Sequence, residues 1–264
     1  MTIRSILLNA LAVVAGLTAV LFIAAAPHEE VEVEAQKWSF QGFFGSFDRP
    51  QLKRGFHVYK EVCSACHSMN LLAYRNLQDI GFSEADVKAI AASVQVTDGP
   101  NDAGDMFDRP GKPSDRFKAP FANEQAARAA NNGALPPDFS LLARSRGGKG
   151  FLAYDGADYI HGILVGYGEA PADFKLTEGM NYNKGFKGHQ IAMPQPLNDD
   201  TVTFDDGTKA TLDQEARDVA AFLAWAGEPN LENRKRTGLK VMLFLVAFTL
   251  IAYAAKRKVW AKIH

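Results

Sequence analysis

Two stretches of this 264-residue chain are apolar almost without interruption, and they lie near its ends. The first, residues 6–26, follows Arg4 and closes on small residues. A positive start, an apolar middle and a small-residue exit read as an export signal. The run exceeds the ~7–15 apolar residues usual for a signal, and Pro27 directly follows Ala26. Cleavage near residues 24–26 and an uncleaved N-terminal anchor both stay open, and either puts residue 28 onward on the non-cytoplasmic side. The second stretch, residues 239–255, is broken only by Lys240 and meets the lower limit of the ~17–25 residues that span a bilayer as a helix. Arg234-Lys235-Arg236 and Lys256-Arg257-Lys258 bracket it as headgroup anchors would, and Tyr253 and Trp260 suit the far interface. The two basic clusters nearly balance. Orientation therefore follows from the export signal, with the main domain outside and residues 257–264 as a cytoplasmic tail beyond an anchor over 238–256.

Between the two runs, apolar periodicity alternates with loop composition. Residues 27–37 are acidic, and then come Trp38, Phe40, Phe43, Phe44 and Phe47, an aromatic stretch fit to cover a core or another subunit. Pro50 opens a predicted helix running to about residue 62, with Gly55, Phe56 and Tyr59 on one face. Ser83 and Asp86 form a capping box for a helix over 84–92. Residues 97–120 read as loop. Asn123 caps a short helix through Ala130, which Asn131-Asn132-Gly133 stops and Pro136-Pro137 cannot continue. Residues 159–165 are helical, and Gly, Pro and Asn then make loop of 166–196. Thr201 to Phe204 before Asp206-Gly207 predicts a short hairpin. Thr211 with Gln214 predicts a capping box on a helix that carries Val219, Phe222, Leu223 and Ala226 on one face. The sum is a mostly α domain over 38–230 with long loops and a short hairpin, plus one C-terminal transmembrane helix.

Composition adds little to this. A hydrophobic share of 47% allows a packed core, and a net charge of -1 gives no general attraction to nucleic acid. Cysteine usage is more telling. The chain has two, Cys63 and Cys66, in the string Cys63-Ser64-Ala65-Cys66-His67. C-x-x-C-H is the pattern of c-type haem attachment. Two thiols three residues apart reach the two vinyl groups on one porphyrin edge, and the next residue carries its imidazole beneath the ring to bind iron. A zinc site needs four ligands and finds no second cysteine pair, and a thioredoxin-like pair belongs in a βαβ context that is absent. The ligand on the opposite iron face is not fixed by spacing. Met69 is too near His67; Met106, Met180 and Met193 are candidates, and His161 or His189 would give bis-His iron.

Several strings resemble one family closely. RGFHVYKEVCSACHSMNLLAYRNL (54–77), RPGKPSDRF (109–117), ARAANNGALPPDFSLLARSR (127–146), GHQIAMPQPL (188–197), FDDGTKATLDQEARDVAAFLAWAGEP (204–229) and RKRTGLKVMLFL (234–245) are similar to cytochrome c1 of the bacterial type. That family provides the haem c subunit of the cytochrome bc1 complex, the ubiquinol–cytochrome c oxidoreductase. The resemblance implies one covalent haem c on Cys63 and Cys66, with His67 and Met193 as axial ligands. It implies that Arg146 and Tyr159 contact a propionate, that Asn131 lies beside the haem and that Pro136 and Pro137 line its edge. Some bacterial relatives carry a further cysteine pair before the axial Met. This chain has none, so its loop is expected to be held by packing alone.

The function implied is one-electron transfer in a respiratory chain, from a Rieske iron–sulfur protein to a soluble or tethered cytochrome c. Cytochrome b would be a partner, the complex would be dimeric, and this subunit would transform no substrate itself. The location implied is the inner membrane, single-pass, with a periplasmic haem domain. Two rivals stand beside this reading: a free-standing tethered cytochrome c that serves a terminal oxidase, and an exported thiol–disulfide protein that uses Cys63 and Cys66. Two further expectations concern packing and charge. Gly55 and Tyr59 should meet Phe222 and Leu223 where first and last helices cross, and the acidic residues 29–34, Asp199-Asp200 and Asp205-Asp206 should be mostly solvated, some steering a basic partner.

Overall fold

The computed structural model describes residues 31, 33–147 and 155–261. The N-terminal apolar run and export signal therefore lie outside the described residues. Helix α1 is Arg49–Glu61, with proline in its first turn as expected. A 3-10 turn, Cys63–Ala65, and a 3-10 helix, Tyr74–Ile80, follow it. Then come α2 (Glu84–Ala92), β1 (Gln95–Asp98), β2 (Phe107–Pro110), α3 (Glu124–Ala130), α4 (Leu142–Arg146) and α5 (Asp155–Val165). Strands β3 (Asn181–Tyr182) and β4 (Gln190–Ile191) precede α6 (Leu212–Gly227) and α7 (Leu231–Trp260).

The domain is organised by the crossing of α1 over α6. A side chain at Gly55 would put its Cβ 2.0 Å from the Asp218 carbonyl oxygen and 2.7 Å from the Phe222 Cβ. Only a residue without Cβ permits that approach. Around it Phe56, Tyr59, Phe222, Leu223 and Trp225 are buried. The Phe56 and Tyr59 rings each lie 5.7 Å from that of Phe222. Asp218 is fully buried at the same crossing, where burying a lone charge would be costly. Four donors offset that cost: Arg54 Nε donates at 2.6 Å, Gln214 at 2.8 Å, Gln51 at 3.1 Å and Arg54 Nη2 at 3.5 Å. Arg54 also donates to Asp206 at 2.7 Å, so one of the acidic residues expected to be solvated belongs to a network. Helix α5 packs on α6 and ties in through His161 Nε2, 2.8 Å from Asp213 Oδ1.

Three sequence expectations fail here, one of them the reading of 166–196 as loop throughout, since β3 and β4 pair antiparallel within it. Residues 97–120 are not all loop: β1 and β2 pair antiparallel with Gln95 opposite Pro110 and Asp98 opposite Phe107. These strands lack apolar alternation because charge holds them, through Arg109 bonded to Asp98 and, at 2.6 Å, to Asp115. Conversely, no hairpin forms at 201–208. Val202 and Phe204 both point into the core, and the Val202 N–H donates to Glu215 Oε1 of α6 at 3.0 Å rather than to a strand. The Thr211 cap is half as expected. Its hydroxyl accepts from Gln214 N–H, but the Gln214 side chain turns to Asp218, and Asp199 accepts the Leu212 N–H instead. The caps at Ser83, reciprocal with Asp86, and at Asn123 are as predicted.

Helix α7 begins inside the domain and leaves it. Leu231 is buried, Glu232 bonds to Arg49, and from Val241 to Trp260 the large apolar side chains are exposed. The apolar window of this helix has a mean hydropathy of 2.0 and none of it is buried. Such a surface is stable in lipid and not in water. Replacing Gly55 with valine should drive α1 and α6 apart and lower the unfolding free energy by about 3 kcal/mol. Urea denaturation read by circular dichroism checks this, and an unchanged midpoint would show that the crossing is looser than described.

Candidate functional site

The C-x-x-C-H segment folds as one tight turn at the end of α1. The Cys63 carbonyl accepts the N–H of Cys66 at 3.1 Å and of His67 at 2.9 Å. The turn leaves Cys63 half-buried and Cys66 exposed, with no disulfide between them, and sends the His67 ring inward, where it is 8% exposed. His67 Nδ1 lies 2.9 Å from the Pro137 carbonyl oxygen. A carbonyl only accepts, so Nδ1 carries the proton and Nε2 keeps its lone pair. Nε2 has no hydrogen-bond partner among the described residues. The Phe139 ring stacks on the imidazole at 4.0 Å, with 19° between the planes. Burial pushes the His67 pKa below its usual value, against the opposing pull of the Pro137 bond. The ring is therefore neutral at pH 7, fixed in tautomer and fixed in plane, which is what an iron ligand requires.

The clamp on His67 comes from a second segment 70 residues later in the chain. Asp138 stitches the two together: its Oδ2 accepts from the Ser68 hydroxyl at 2.8 Å and the Asn70 N–H at 2.9 Å, and its Oδ1 accepts from the Ser140 N–H at 2.8 Å. The Phe139 N–H donates to the Ser68 carbonyl at 2.8 Å, and the Leu71 N–H to the Ser140 hydroxyl at 2.9 Å. Burial alone would raise the Asp138 carboxyl, but the donors from Ser140, Asn70 and Ser68 outweigh it and hold the group below the ordinary range. Sequence reasoning missed Asp138 and Phe139. Their only signal was position, directly after the proline pair.

The thiols discriminate between chemistries. Burial pushes the Cys63 thiol up to about 12. A redox-active C-x-x-C needs the reverse, a thiol lowered toward or below neutrality so that thiolate is present. A raised Cys63 thiol does not have that character. Together with the bare Nε2, the donor set fits a covalently tethered haem.

The other predicted site residues fall into three places. Asn131 is half-buried and its amide donates to Ala127 O at 2.7 Å, closing α3; Pro136 is half-buried and Pro137 exposed. Arg146 is the last residue of α4 and exposed, with no hydrogen bond or ion pair among the described residues, while Tyr159 is half-buried on α5. Their helices touch where Gly156 meets Ala143: a Cβ at Gly156 would sit 1.7 Å from the Ala143 carbonyl oxygen. Met193 is half-buried in the loop after β4. Its carbonyl accepts from the Tyr167 hydroxyl at 3.0 Å and the Asn181 amide at 3.4 Å. Fully buried Asn183 braces the same loop, donating to Ile163 O at 2.8 Å and accepting from Gly185 N–H at 2.9 Å. Hydrogen bonds thus hold this loop, a correction to the expectation of packing alone.

The rival ligand candidates thin out. Met69 is fully buried in the core, and Met106 is 61% exposed on the β1–β2 connection. The Nε2 of His161 is taken by Asp213. Met180 remains half-buried, and His189 sits near the rings of Phe174 and Tyr182 with a buried, unbonded Nδ1.

Comparison with known proteins bears on this geometry. The sequence model of the Cytochrome C1 family matches residues 38–263. The chain is 50% identical over 243 residues to "Cytochrome b/c1" of Bradyrhizobium diazoefficiens, covering 86% of this chain and 35% of that protein. It therefore spans about a third of the length of that relative. It is 46% identical over 265 residues to "Cytochrome c1" of Rhodospirillum rubrum, covering 94% and 95%. It is 44% identical over 247 residues to "Cytochrome c1 1, heme protein, mitochondrial" of Arabidopsis thaliana, covering 93% and 78%.

The Asp138 stitch has a pH signature. Its folded pKa is depressed, so its contribution is present above the unfolded value, about 3.9, and is lost as pH falls through the lower folded value. Replacing Asp138 with asparagine should cost about 1–2 kcal/mol at pH 7 after allowance for solvent screening. The gap to wild type should close as the pH falls below the ordinary carboxylate range and the folded carboxyl is protonated. Urea midpoints of both proteins across that range test it, and a gap independent of pH would assign the loss to packing.

Proposed function

The chain belongs to the cytochrome c1 family, and from that premise we propose that it is the one-electron carrier subunit of a quinol–cytochrome c oxidoreductase. It takes an electron from a Rieske iron–sulfur protein and passes it to a soluble or membrane-tethered cytochrome c. The observation that carries the reading is the immobilised His67 with its unshared Nε2, four residues beyond the first cysteine of the C-x-x-C-H turn. When bound, haem c supplies an iron that changes oxidation state by one electron.

The chain's own residues supply attachment, ligation and rigidity. Cys63 and Cys66 hold the group through thioethers, so it cannot dissociate. His67 would offer its Nε2 and Met193 its sulfur to the iron. Thioether ligation favours the reduced iron relative to bis-His and raises the potential. The bonds from Tyr167 and Asn181 to the Met193 carbonyl support that assignment, because they fix the backbone from which the sulfur is presented. Arg146 and Tyr159 serve a propionate, a role that suits a guanidinium with no protein partner among the described residues. Asn131, Pro136 and Pro137 line the edge of the group.

The remaining assignments rest on family membership and on α7. Helix α7 crosses the inner membrane once over 238–256, with the haem domain on the periplasmic side, residues 257–264 in the cytoplasm and residues 1–26 as export signal. A lone membrane helix suits a subunit whose neighbours in the bilayer come from cytochrome b, in a complex that is dimeric.

Replacing Met193 with leucine should remove the sulfur ligand and lower the reduction potential by on the order of 0.2 V, within the roughly 0.8 V that axial ligands span. Redox titration of the reduced optical bands reads this out. A variant with unchanged potential and ligand field would move the axial role to Met180 or His189.

A further inference from the structure

Residues 39–46 form a closed loop whose tip carries exposed aromatic rings. The Ser46 N–H donates to Ser39 O at 3.1 Å and shuts the base. Trp38, Phe40 and Phe47 below are buried, whereas Phe43 is 44% and Phe44 82% exposed. The two tip rings meet edge to face at 5.2 Å and make one apolar knob. Glycines set the shape of the tip: Gly42 has φ +70°, and a Cβ at Gly45 would fall 1.9 Å from Gln41 O.

The loop is strapped along the first turns of α7, and the straps give it a direction. Glu232 accepts from the Phe47 N–H and from Arg49, both at 2.8 Å. One turn further along α7, the Lys235 ammonium donates to Phe40 O at 2.6 Å and Gly45 O at 3.1 Å. As α7 advances from 232 to 235, the loop therefore advances from its base toward its tip. Past Lys235 on the helix come Gly238 and Leu239. Those two are half-buried, and from Lys240 onward the helix is exposed and apolar. Arg234, Lys235, Arg236 and Lys240 fall in this stretch of α7, with Arg234 paired to Glu228 and Lys235 to the loop carbonyls.

We propose that the Phe43–Phe44 tip is an interfacial anchor that enters the headgroup–acyl boundary of the bilayer beside α7. The occupant of this surface is lipid. The knob continues the lipid-facing surface of the helix, and its collar of cations matches phosphate headgroups. Aromatic side chains favour that depth. With a second attachment, the domain is pinned at two points and its tilt over the membrane is set.

The test uses the full-length, haem-loaded chain in nanodiscs of mixed phosphatidylcholine and phosphatidylglycerol. A nitroxide is placed at Phe44→Cys and, as a depth reference, at Leu245→Cys within the apolar run. Collisions with oxygen, which concentrates in the bilayer, and with a water-soluble nickel chelate are measured by electron paramagnetic resonance. The expected result is that position 44 behaves like 245, with high oxygen collision and loss of nickel collision. Persistent nickel collision at 44 but not at 245 would put the tip in water and overturn the proposal. Exclusion of both relaxants at 44 would also overturn it, since the knob would then lie against protein. Label uptake by the unsubstituted chain keeps this separate from the haem assignment. No uptake means that Cys63 and Cys66 are capped. Two labels would refute the haem assignment and leave the depth reading, taken by difference, to stand or fall on its own.

Discussion

One hydrogen bond carries most of the functional logic of this chain: His67 Nδ1–H to the Pro137 carbonyl, 2.9 Å long, with Phe139 stacked on the same ring. It decides which nitrogen is free and fixes the plane in which a metal must approach, while burial of the ring keeps it neutral. An imidazole without that partner would exchange tautomers and rotate about its two side-chain torsions. The ordering cost would then fall on the cofactor rather than on the fold.

The rest of the domain can be understood as what keeps those two backbone segments in register. The turn that presents His67 is the direct continuation of α1, and α1 is held by its glycine-tight crossing with α6. The partner segment is joined to residues 68–71 by the Asp138 carboxylate and the Ser140 hydroxyl. Between them in sequence lie the 3-10 helix, α2, the β1–β2 hairpin and α3, an excursion that leaves the site and comes back to it. The loop that carries Met193 is separately braced through Tyr167, Asn181 and buried Asn183. The Met193 carbonyl and the Asn183 amide are both bonded within or beside the loop, which helps it to hold a shape.

What was legible in the sequence follows the range of the forces involved. Helix boundaries marked by local side-chain caps could be read at Ser83 and Asn123, because donor and acceptor lie within three residues. The pentapeptide that begins at Cys63 was legible for the same reason. The β1–β2 hairpin was not, since its strands are short, largely exposed and held by Arg109 pairing with two aspartates rather than by an apolar face. The opposite error at Val202 and Phe204 arose because period-two burial looks like a strand, even where the backbone N–H is used by Glu215. Asp138 and Phe139 stayed hidden because their partners are about 70 residues away. Asn183, buried and bonded on both ends of its amide, leaves no pattern at all in a loop rich in glycine and asparagine.

The account stands on the protonation pattern of one imidazole, and nitrogen NMR of the reduced, haem-loaded protein with ring-labelled histidine reads it directly. The account predicts for His67 a slowly exchanging proton on Nδ1, hydrogen-bonded across to Pro137, and an Nε2 with no proton and a shift displaced by metal ligation. A proton found on Nε2, or on both nitrogens, would contradict it.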